Sequence, residues 1–392
     1  MSSPRRIVEL DGLRGLAILL VLCVHFGSVI PAQSATEQFV NSLLSGGWCG
    51  VDLFFVLSGF LITGILIDTR QDSGCFRKFF VRRMLRIFPL YYGVLLAVFF
   101  IGPVWIPGLI DDHLRQSQAS LWLYFSNLQT MVTGPESMRG HVVNFSHFWS
   151  LAIEEQFYLI WPFVVFRLSD KHLARLCTVL IATGIPIRLI ASQVYGPFAP
   201  YYFTPCRLET LAAGALCACL IRSLSAVHIK KYAPRAFWAG MAGLALLYSA
   251  RGGLRFNDPV VTIFGQTCLS VGFAGLLLLT CFSQGTRLGR LLSHSVLQAL
   301  GKYSYGIYVF HGLLQVFLWS VKDLFLEFVP NYFLSVPLYV GCCGMVSFLL
   351  ALVSWEYEKL FLNFKSYFDY DSATLPKGTN PQLPAEPAMV SN

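Results

Sequence analysis

The sequence predicts an all-α protein, a polytopic bundle of about ten transmembrane helices. Of its 392 residues, 55% are hydrophobic and only 13% are charged, and the mean hydropathy is +0.59. A soluble globular domain carries about 25% charged residues. The apolar residues also fall into blocks of about 18 to 22 residues, which is long enough for a helix to cross the hydrocarbon core of a bilayer.

Ten such blocks are bounded by charged residues and turn residues. They span 13–31, 50–67, 88–106, 147–166, 175–194, 205–221, 236–250, 258–282, 298–319 and 333–354. An even number of spans places both termini on the same side of the membrane. With the N-terminus in the cytoplasm, twenty Lys and Arg residues of the loops and ends are cytoplasmic and five are outside. Because basic residues favour the cytoplasmic side, the sequence predicts that both termini are cytoplasmic.

We expect a single membrane domain over 1–366, followed by a tail. The tail, 367–392, is rich in proline and small polar residues and cannot support a packed core, so the sequence predicts disorder there. The longest outer loop, about 107–146, is interrupted by proline and glycine and is expected to fold partly back onto the membrane. The first apolar block lacks a cleavage site and is interpreted as a retained span rather than a signal peptide.

The charge and the cysteines exclude two classes of partner. The net charge is +8, but the basic residues lie in short loops between apolar blocks, which indicates membrane topology and contact with lipid rather than nucleic-acid binding. The eleven cysteines lie mostly inside apolar blocks without metal-ligand spacing. We therefore expect packing cysteines and no metal.

The first span carries two ionisable residues, which are costly at membrane depth and so draw attention. Arg14 lies near its cytoplasmic end and His25 eleven residues later, roughly 16 Å along one helix. A neutral imidazole can take a proton from a hydroxyl, and an arginine can hold a phosphate or a carbonyl, so the pair suits acyl transfer. Considered separately, each residue has a structural explanation. His25 would be a hydrogen-bonded packing residue, and the Arg14 side chain would extend to the lipid headgroups.

The second span and the loop after it hold further candidates. Asp52 lies at the outer end of the span, and Ser58 and Gly59 lie in its middle, where small residues let helices approach closely. Arg83 and Arg86 are three residues apart beside aromatic residues and share a helix face. That face could bind the phosphates of a nucleotide or lie on anionic lipid. The charge of the segment fits both roles equally well.

Acids and a second histidine occur in later spans. Glu154 could orient a histidine or hold a sugar hydroxyl, whereas for Glu155 a structural ion pair is favoured. Arg207 and Glu209 are two residues apart in the sixth span and should face different ways. The ninth span carries a polar stripe typical of a cavity wall or of an interhelical hydrogen-bond set, comprising Tyr305, Tyr308 and His311.

Six motifs occur in a characteristic order: LDGLRGLAILLVLCVHF, VDLFFVLSGFLIT, RRMLRIFPLYY, FWSLAIEEQFYLIWP, RLETLAAGALCA and GKYSYGIYVFH. On these motifs the chain resembles the membrane-bound acyltransferase 3 family over residues 5–362. The resemblance implies a bacterial inner (plasma) membrane enzyme. It implies an acyl-CoA donor, commonly acetyl-CoA, used on the cytoplasmic side, and an acceptor hydroxyl on a carbohydrate or glycolipid.

The resemblance also implies roles for residues that match the family motifs. His25 is the expected catalytic residue, as general base or as carrier of the acyl group, with Arg14 and Glu154 beside it. The nucleotide of the donor is expected on Arg83 and Arg86, and its pantetheine beside Arg14. Ser58 and Gly59 match the FFxxSG element of the donor site, and the residues expected to bind the acceptor are Asp52, Glu154, Arg207, Tyr305 and His311.

Other functions stay open at this point. A transporter or lipid flippase could use membrane-embedded His, Glu and Arg residues as a proton relay, although no inverted repeat is visible in the sequence. An N-acyltransferase acting on an amino sugar, like the lysosomal heparan enzyme, would share the donor chemistry. Some family members carry an extracytoplasmic hydrolase-like domain; this chain is expected to act alone or with a separate partner.

Overall fold

The computed structural model of the chain describes residues 7–370. It is 82% helical and has no β-strand within that range, which confirms the all-α prediction. The α-helices are α1 (Val8–Leu22), α2 (Ala35–Leu44), α3 (Cys49–Asp68), α4 (Cys75–Leu96), α5 (Gly102–Trp105), α6 (Asp112–Trp122), α7 (Ser126–Thr133), α8 (Phe148–Arg167), α9 (Asp170–Ala182), α10 (Gly184–Tyr195), α11 (Ala199–Tyr202), α12 (Thr204–Ser223), α13 (Ala226–Arg251), α14 (Gln266–Cys281), α15 (Arg287–Leu292), α16 (Ser295–Lys302), α17 (Ser304–Leu313), α18 (Gln315–Ser320), α19 (Lys322–Phe328) and α20 (Tyr332–Leu362).

Shorter helical turns extend or connect these helices. Three are π-helices, with i to i+5 hydrogen bonds, and three are 3₁₀-helices. The π-helices are Cys23–Gly27, Ala97–Ile101 and Val261–Gly265, and the 3₁₀-helices are Ser45–Trp48, Pro135–Met138 and Asn363–Phe368. The π-helix Cys23–Gly27 continues α1 and carries His25.

Six helical segments between residues 7 and 370 are long and apolar enough to cross a membrane. They are Val8–Gly27, Ala35–Asp68, Cys75–Trp105, Thr204–Ser223, Val261–Cys281 and Tyr332–Phe368. The pair α9 and α10, bent by 47° at a short break, makes a possible seventh. The predicted spans 147–166 and 236–250 correspond to the continuous helices α8 and α13, while 298–319 is divided among α16, α17 and α18. A count of ten and cytoplasmic termini stay predictions.

Helices α3 and α12 approach closely at two glycines. A Cβ atom built on Gly59 of α3 would lie 1.9 Å from the carbonyl oxygen of Leu211 in α12, and one on Gly214 of α12 would lie 1.9 Å from that of Val56. Any side chain at these two positions would therefore separate α3 from α12. This close approach is the packing role expected of small residues in membrane helices.

The predicted outer loop 107–146 is folded. It contains α6 and α7, and its side chains Leu114, Leu121 and Met138 are fully buried. The loop is joined to the bundle through its backbone, since the Tyr91 hydroxyl donates to the carbonyl of Leu121 at 2.7 Å. The expectation that this loop folds back thus corresponds to a layer of short helices against the bundle.

The end of the described chain lies against α4. The predicted tail begins within the 3₁₀-helix Asn363–Phe368, and the guanidinium of Arg82 contacts Asp369 at 2.5 Å and lies 5.3 Å from the ring centroid of Tyr370. The predicted disorder of 371–392 lies outside the described residues. The same is true of 1–6, which include two of the basic residues used to predict orientation.

Candidate active site

His25 is held in a fixed orientation by the helix that carries it. Its side chain is half-buried, and its Nδ1 atom lies 3.0 Å from the carbonyl oxygen of Val21, one turn earlier. Because a carbonyl can only accept, this contact assigns the proton of the neutral imidazole to Nδ1. The Nε2 atom then keeps its lone pair, which is the state that a general base requires.

His311 of α17 lies beside His25. Its Nε2 atom is 3.3 Å from His25 Nδ1, and the ring centroids are 4.9 Å apart. The other ring nitrogen, Nδ1, lies 2.6 Å from the carbonyl oxygen of Tyr308, so it carries the proton and Nε2 is an acceptor. The Nδ1–H group of His25 therefore faces two acceptors, Val21 O and His311 Nε2. Both contacts favour the tautomer of His25 that carries its proton on Nδ1.

A third histidine completes this cluster. His147, just before α8, is buried, and its ring centroid lies 5.1 Å from that of His311. Its Nε2 atom donates to the carbonyl of Val309 at 3.1 Å, and its backbone carbonyl accepts a hydrogen bond of 3.0 Å from the Tyr308 hydroxyl. We refer to His25, His147 and His311 as the histidine cluster. It joins three segments that are far apart in the sequence.

A second polar cluster lies at the other end of α1. The Ser58 hydroxyl donates a short hydrogen bond to Glu154 and accepts one of 3.0 Å from the Tyr158 hydroxyl. The guanidinium carbon of Arg83 lies 5.6 Å from the Tyr158 ring centroid. Both Arg14 and Arg83 lie within electrostatic range of the Glu154 carboxyl group, so the cluster combines one half-buried acid with two cations.

The two clusters are connected through Tyr308. Its hydroxyl lies 2.5 Å from the Ser150 hydroxyl in α8, and its backbone carbonyl bonds His311. Glu154, one turn further along α8 than Ser150, lies within electrostatic range of Tyr308. Tyr308 thus lies between the histidine cluster and the Ser58–Glu154 cluster.

Arg86 faces a different neighbourhood from Arg83. It lines a small cavity with Tyr305, Lys302 and Glu358, among other residues. The Tyr305 hydroxyl donates to the carbonyl of Ile87 at 2.8 Å, which ties α17 to α4. Tyr305 therefore lies beside α4, the helix that carries Arg83 and Arg86, and not in the histidine cluster.

Asp52 and Arg207 form a fully buried ion pair with an N to O distance of 2.7 Å. The guanidinium carbon lies 5.2 Å from the ring centroids of Phe55 and Tyr201 and 5.7 Å from that of Trp149. Three buried polar atoms of the pair, Asp52 Oδ2 and Arg207 Nε and Nη1, have no hydrogen-bond partner among the described residues. Such atoms are costly unless water or a ligand satisfies them.

A second buried ion pair was missed in the sequence. Arg188 of α10 and Glu209 of α12 are both fully buried and lie 2.6 Å apart. Arg188 also donates to the carbonyl of Ile263 at 2.8 Å, within a π-helix, and to the hydroxyl of Thr267 at 2.6 Å. The signal was available, since Arg188 is a charge well inside the predicted span 175–194. The prediction that Arg207 and Glu209 do not pair is confirmed.

The family follows from comparison with known proteins. The profile of the acyltransferase 3 family, described as an acyltransferase domain, matches residues 7–356, nearly the whole chain. The chain belongs to the acyltransferase 3 family. With its long apolar helices, it is an integral membrane member of that family.

Several proteins similar to this chain are named as O-acetyltransferases. O-acetyltransferase OatA of Staphylococcus aureus is 27% identical and covers 96% of this chain. Peptidoglycan O-acetyltransferase OatA of Listeria monocytogenes is 30% identical over 79% of the chain, and putative peptidoglycan O-acetyltransferase YrhL of Bacillus subtilis is 32% identical over 78%. The chain spans 60% of the length of the first relative and about half of the other two. No solved structure matches the chain.

Several predicted site residues meet in this acyltransferase fold. His25 meets His311, and Ser58 meets Glu154 near Arg14 and Arg83. The hydrogen bond of Glu154 goes to Ser58 and not to the imidazole of His25, so the residue that orients His25 is His311. His147 was not singled out in the sequence, although it begins the segment HFWSLAIEE. The roles assigned to these residues stay predictions.

Proposed function

We propose that this chain is a membrane O-acetyltransferase that transfers an acetyl group from acetyl-CoA to a hydroxyl of a cell-envelope glycan. The observation that carries the proposal is the orientation of His25, whose Nδ1 proton is directed to Val21 and His311 and whose Nε2 is left as a base. The peptidoglycan O-acetyltransferases to which the chain is similar support a glycan acceptor. The family match favours this function over the transporter alternative.

The donor would lie along the path from the arginines to the histidines. Arg83 and Arg86 would hold phosphates of the CoA nucleotide, with Arg14 beside the pantetheine. Arginine suits this role because its planar guanidinium forms paired hydrogen bonds to phosphate. The small packing residues at Gly59 and Gly214 leave α3 and α12 in close contact, so they support the shape of the site rather than contact the donor.

The transfer itself needs one base. His25 Nε2 takes the proton of the acceptor hydroxyl as its oxygen attacks the thioester carbonyl carbon. The C–S bond then breaks, and the CoA thiolate leaves and receives the proton from the imidazolium. The products are an acetyl ester and free CoA, and His25 returns to its neutral form. During the step, His311 Nε2 accepts from the Nδ1 proton of His25 and stabilises the imidazolium.

The acceptor would be bound near the Asp52–Arg207 pair. The three polar atoms of this pair that lack partners are where hydroxyl groups of an acceptor would bind once the side chains around the fully buried pair move apart. This assignment rests on the polar atoms without partners and on the carbohydrate named for the relatives. A bacterial inner membrane location is part of the same proposal.

The test is acetyl transfer by purified chain in lipid nanodiscs. Radiolabelled acetyl-CoA is the donor and muramic-acid-containing peptidoglycan fragments are the acceptor probe, and both labelled glycan and released CoA are measured. His25→Ala should lower the rate by about 10²- to 10⁴-fold, while His113→Ala, at an exposed position in α6, should not change it. Wild-type chain that neither cleaves acetyl-CoA nor labels glycan would contradict the function, and an active His25→Ala would contradict the base.

A further inference from the structure

The π-helix that carries His25 leaves a backbone carbonyl to be satisfied from elsewhere. The Ser28 N–H donates to the Cys23 carbonyl at 3.2 Å, in the i to i+5 pattern. In a continued π-helix the Ile30 N–H would reach the His25 carbonyl, but it donates instead to the carbonyl of Gly27 at 3.3 Å. π-helical turns are rare and are frequent at functional sites.

Trp319 of α18 supplies the missing hydrogen bond. Its indole N–H donates to the His25 carbonyl oxygen at 2.9 Å, although the two residues are 294 positions apart in the sequence. An indole has this one donor and no acceptor, so the bond uses its full hydrogen-bonding capacity. The ring of His25 is therefore held by His311 in α17 and its backbone by Trp319 in α18, two helices that follow each other in the chain.

The outer loop holds α18 in place. The guanidinium carbon of Arg139 lies 4.9 Å from the ring centroid of Trp319. In addition, Asn144 donates to Gln315 at 2.6 Å, four residues before Trp319. Because the same loop leads directly into His147, the position of Trp319 is fixed from both the loop and the bundle.

We propose that Trp319 is a positioning residue for His25, which acts through the backbone carbonyl of the π-helix and not through contact with a substrate. Its hydrogen bond keeps the π-helical turn formed, and the turn directs the imidazole toward His311 and away from lipid. The inference deepens the proposed function, on which its activity measurement rests. Its second measurement does not depend on that function.

Trp319→Phe removes the indole N–H and keeps an aromatic ring. The matched control is Trp48→Phe, because the Trp48 indole also donates to a distant carbonyl, that of Leu254, at 2.8 Å. In the acetyl-transfer assay, Trp319→Phe should lower kcat by about 10²-fold, the loss typical of a small misplacement of a catalytic group, with KM for acetyl-CoA unchanged. Trp48→Phe should change neither constant.

The second measurement is the reactivity of His25 with diethyl pyrocarbonate, followed by mass spectrometry with the exposed His113 as internal reference. Loss of the Trp319 hydrogen bond should raise the His25 labelling rate about fivefold. This is the change in an equilibrium constant that corresponds to the net free energy of a typical hydrogen bond. Trp48→Phe should leave it unchanged. If wild-type chain lacks transferase activity, the proposed function fails, and labelling alone decides the role of Trp319. If His25 in the Trp319→Phe variant is labelled at the same rate as in the wild-type protein, the inference is wrong.

Discussion

The Nε2 atom of His311 lies 3.3 Å from the Nδ1 atom of His25, although the two residues are 286 positions apart in the sequence. The contact pairs a donor with an acceptor, because the other ring nitrogen of His311 is occupied by the carbonyl of Tyr308. His25 is thus oriented by a neutral imidazole rather than by a carboxylate. A neutral partner in this position fits a site inside a membrane, where an isolated charge is costly.

The first prediction concerns this pair. His311→Leu removes the acceptor that faces His25, so kcat for acetyl transfer should fall by about 10²-fold while KM for acetyl-CoA stays constant. His294→Leu, at an exposed histidine, is the control. If His311 acts only through His25, adding His311→Leu to His25→Ala should cause no further loss. A further loss in the double variant would show that His311 has a separate role.

The second prediction concerns the donor. Arg83→Gln and Arg86→Gln should each raise the Kd of acetyl-CoA by about tenfold or more, since each removes a charge-assisted contact to phosphate. KM for the glycan probe should not change. Calorimetric titration with CoA and with dephospho-CoA separates the 3′-phosphate from the pyrophosphate. Arg77→Gln is the control, because this arginine of the same helix lies over the ring of Phe368. Unaltered CoA affinity in both variants would refute the donor assignment.

The third prediction concerns the buried pair of Arg188 and Glu209, for which a structural role is expected. Glu209→Leu leaves a buried guanidinium without its acid and should destabilise the protein by about 3–5 kcal/mol. The double change Arg188→Met with Glu209→Leu should recover much of that loss, because no uncompensated charge remains. Thermal unfolding in detergent is the measurement.

The control for this pair is Glu356→Gln, which removes a surface ion pair of the same length. Lys359 and Glu356 also lie 2.6 Å apart, but the Glu356 side chain is 71% exposed. Solvent screens such a pair, so its loss should cost only about 0–1 kcal/mol. A double variant at Arg188 and Glu209 that is no more stable than Glu209→Leu would contradict the charge-pair explanation.

The fourth prediction concerns the glycine behind His147. A Cβ atom on Gly312 would lie 2.1 Å from His147 Nδ1, so Gly312→Ala should displace the imidazole and destabilise the protein by about 1–3 kcal/mol. Gly341→Ala is the matched control, since a Cβ atom there meets nothing within 4 Å and alanine favours the helix. The two melting temperatures should move in opposite directions. Equal melting temperatures would argue against close packing at Gly312.

Local pattern was enough to predict the all-α class and some of the candidate residues. Arg14, His25 and Glu154 stood out because an ionisable group inside an apolar block is costly without a partner or a function. The same rule applied to Arg188 would have found the second ion pair. For Trp319, the sequence offers no comparable signal, because tryptophan near the end of a span is ordinary at a membrane interface.

The sequence by itself determined that this protein is a bundle of membrane helices, because an apolar backbone segment in lipid must satisfy its own hydrogen bonds and a helix does so within the segment. It also indicated some of the polar residues that lie inside that bundle, among them His25 and Glu154. Only the tertiary structure decided their partners: His25 with His311 and Trp319, and Glu154 with Ser58. Those contacts join helices that are distant in the chain, and their geometry depends on how the helices pack, which no local pattern contains.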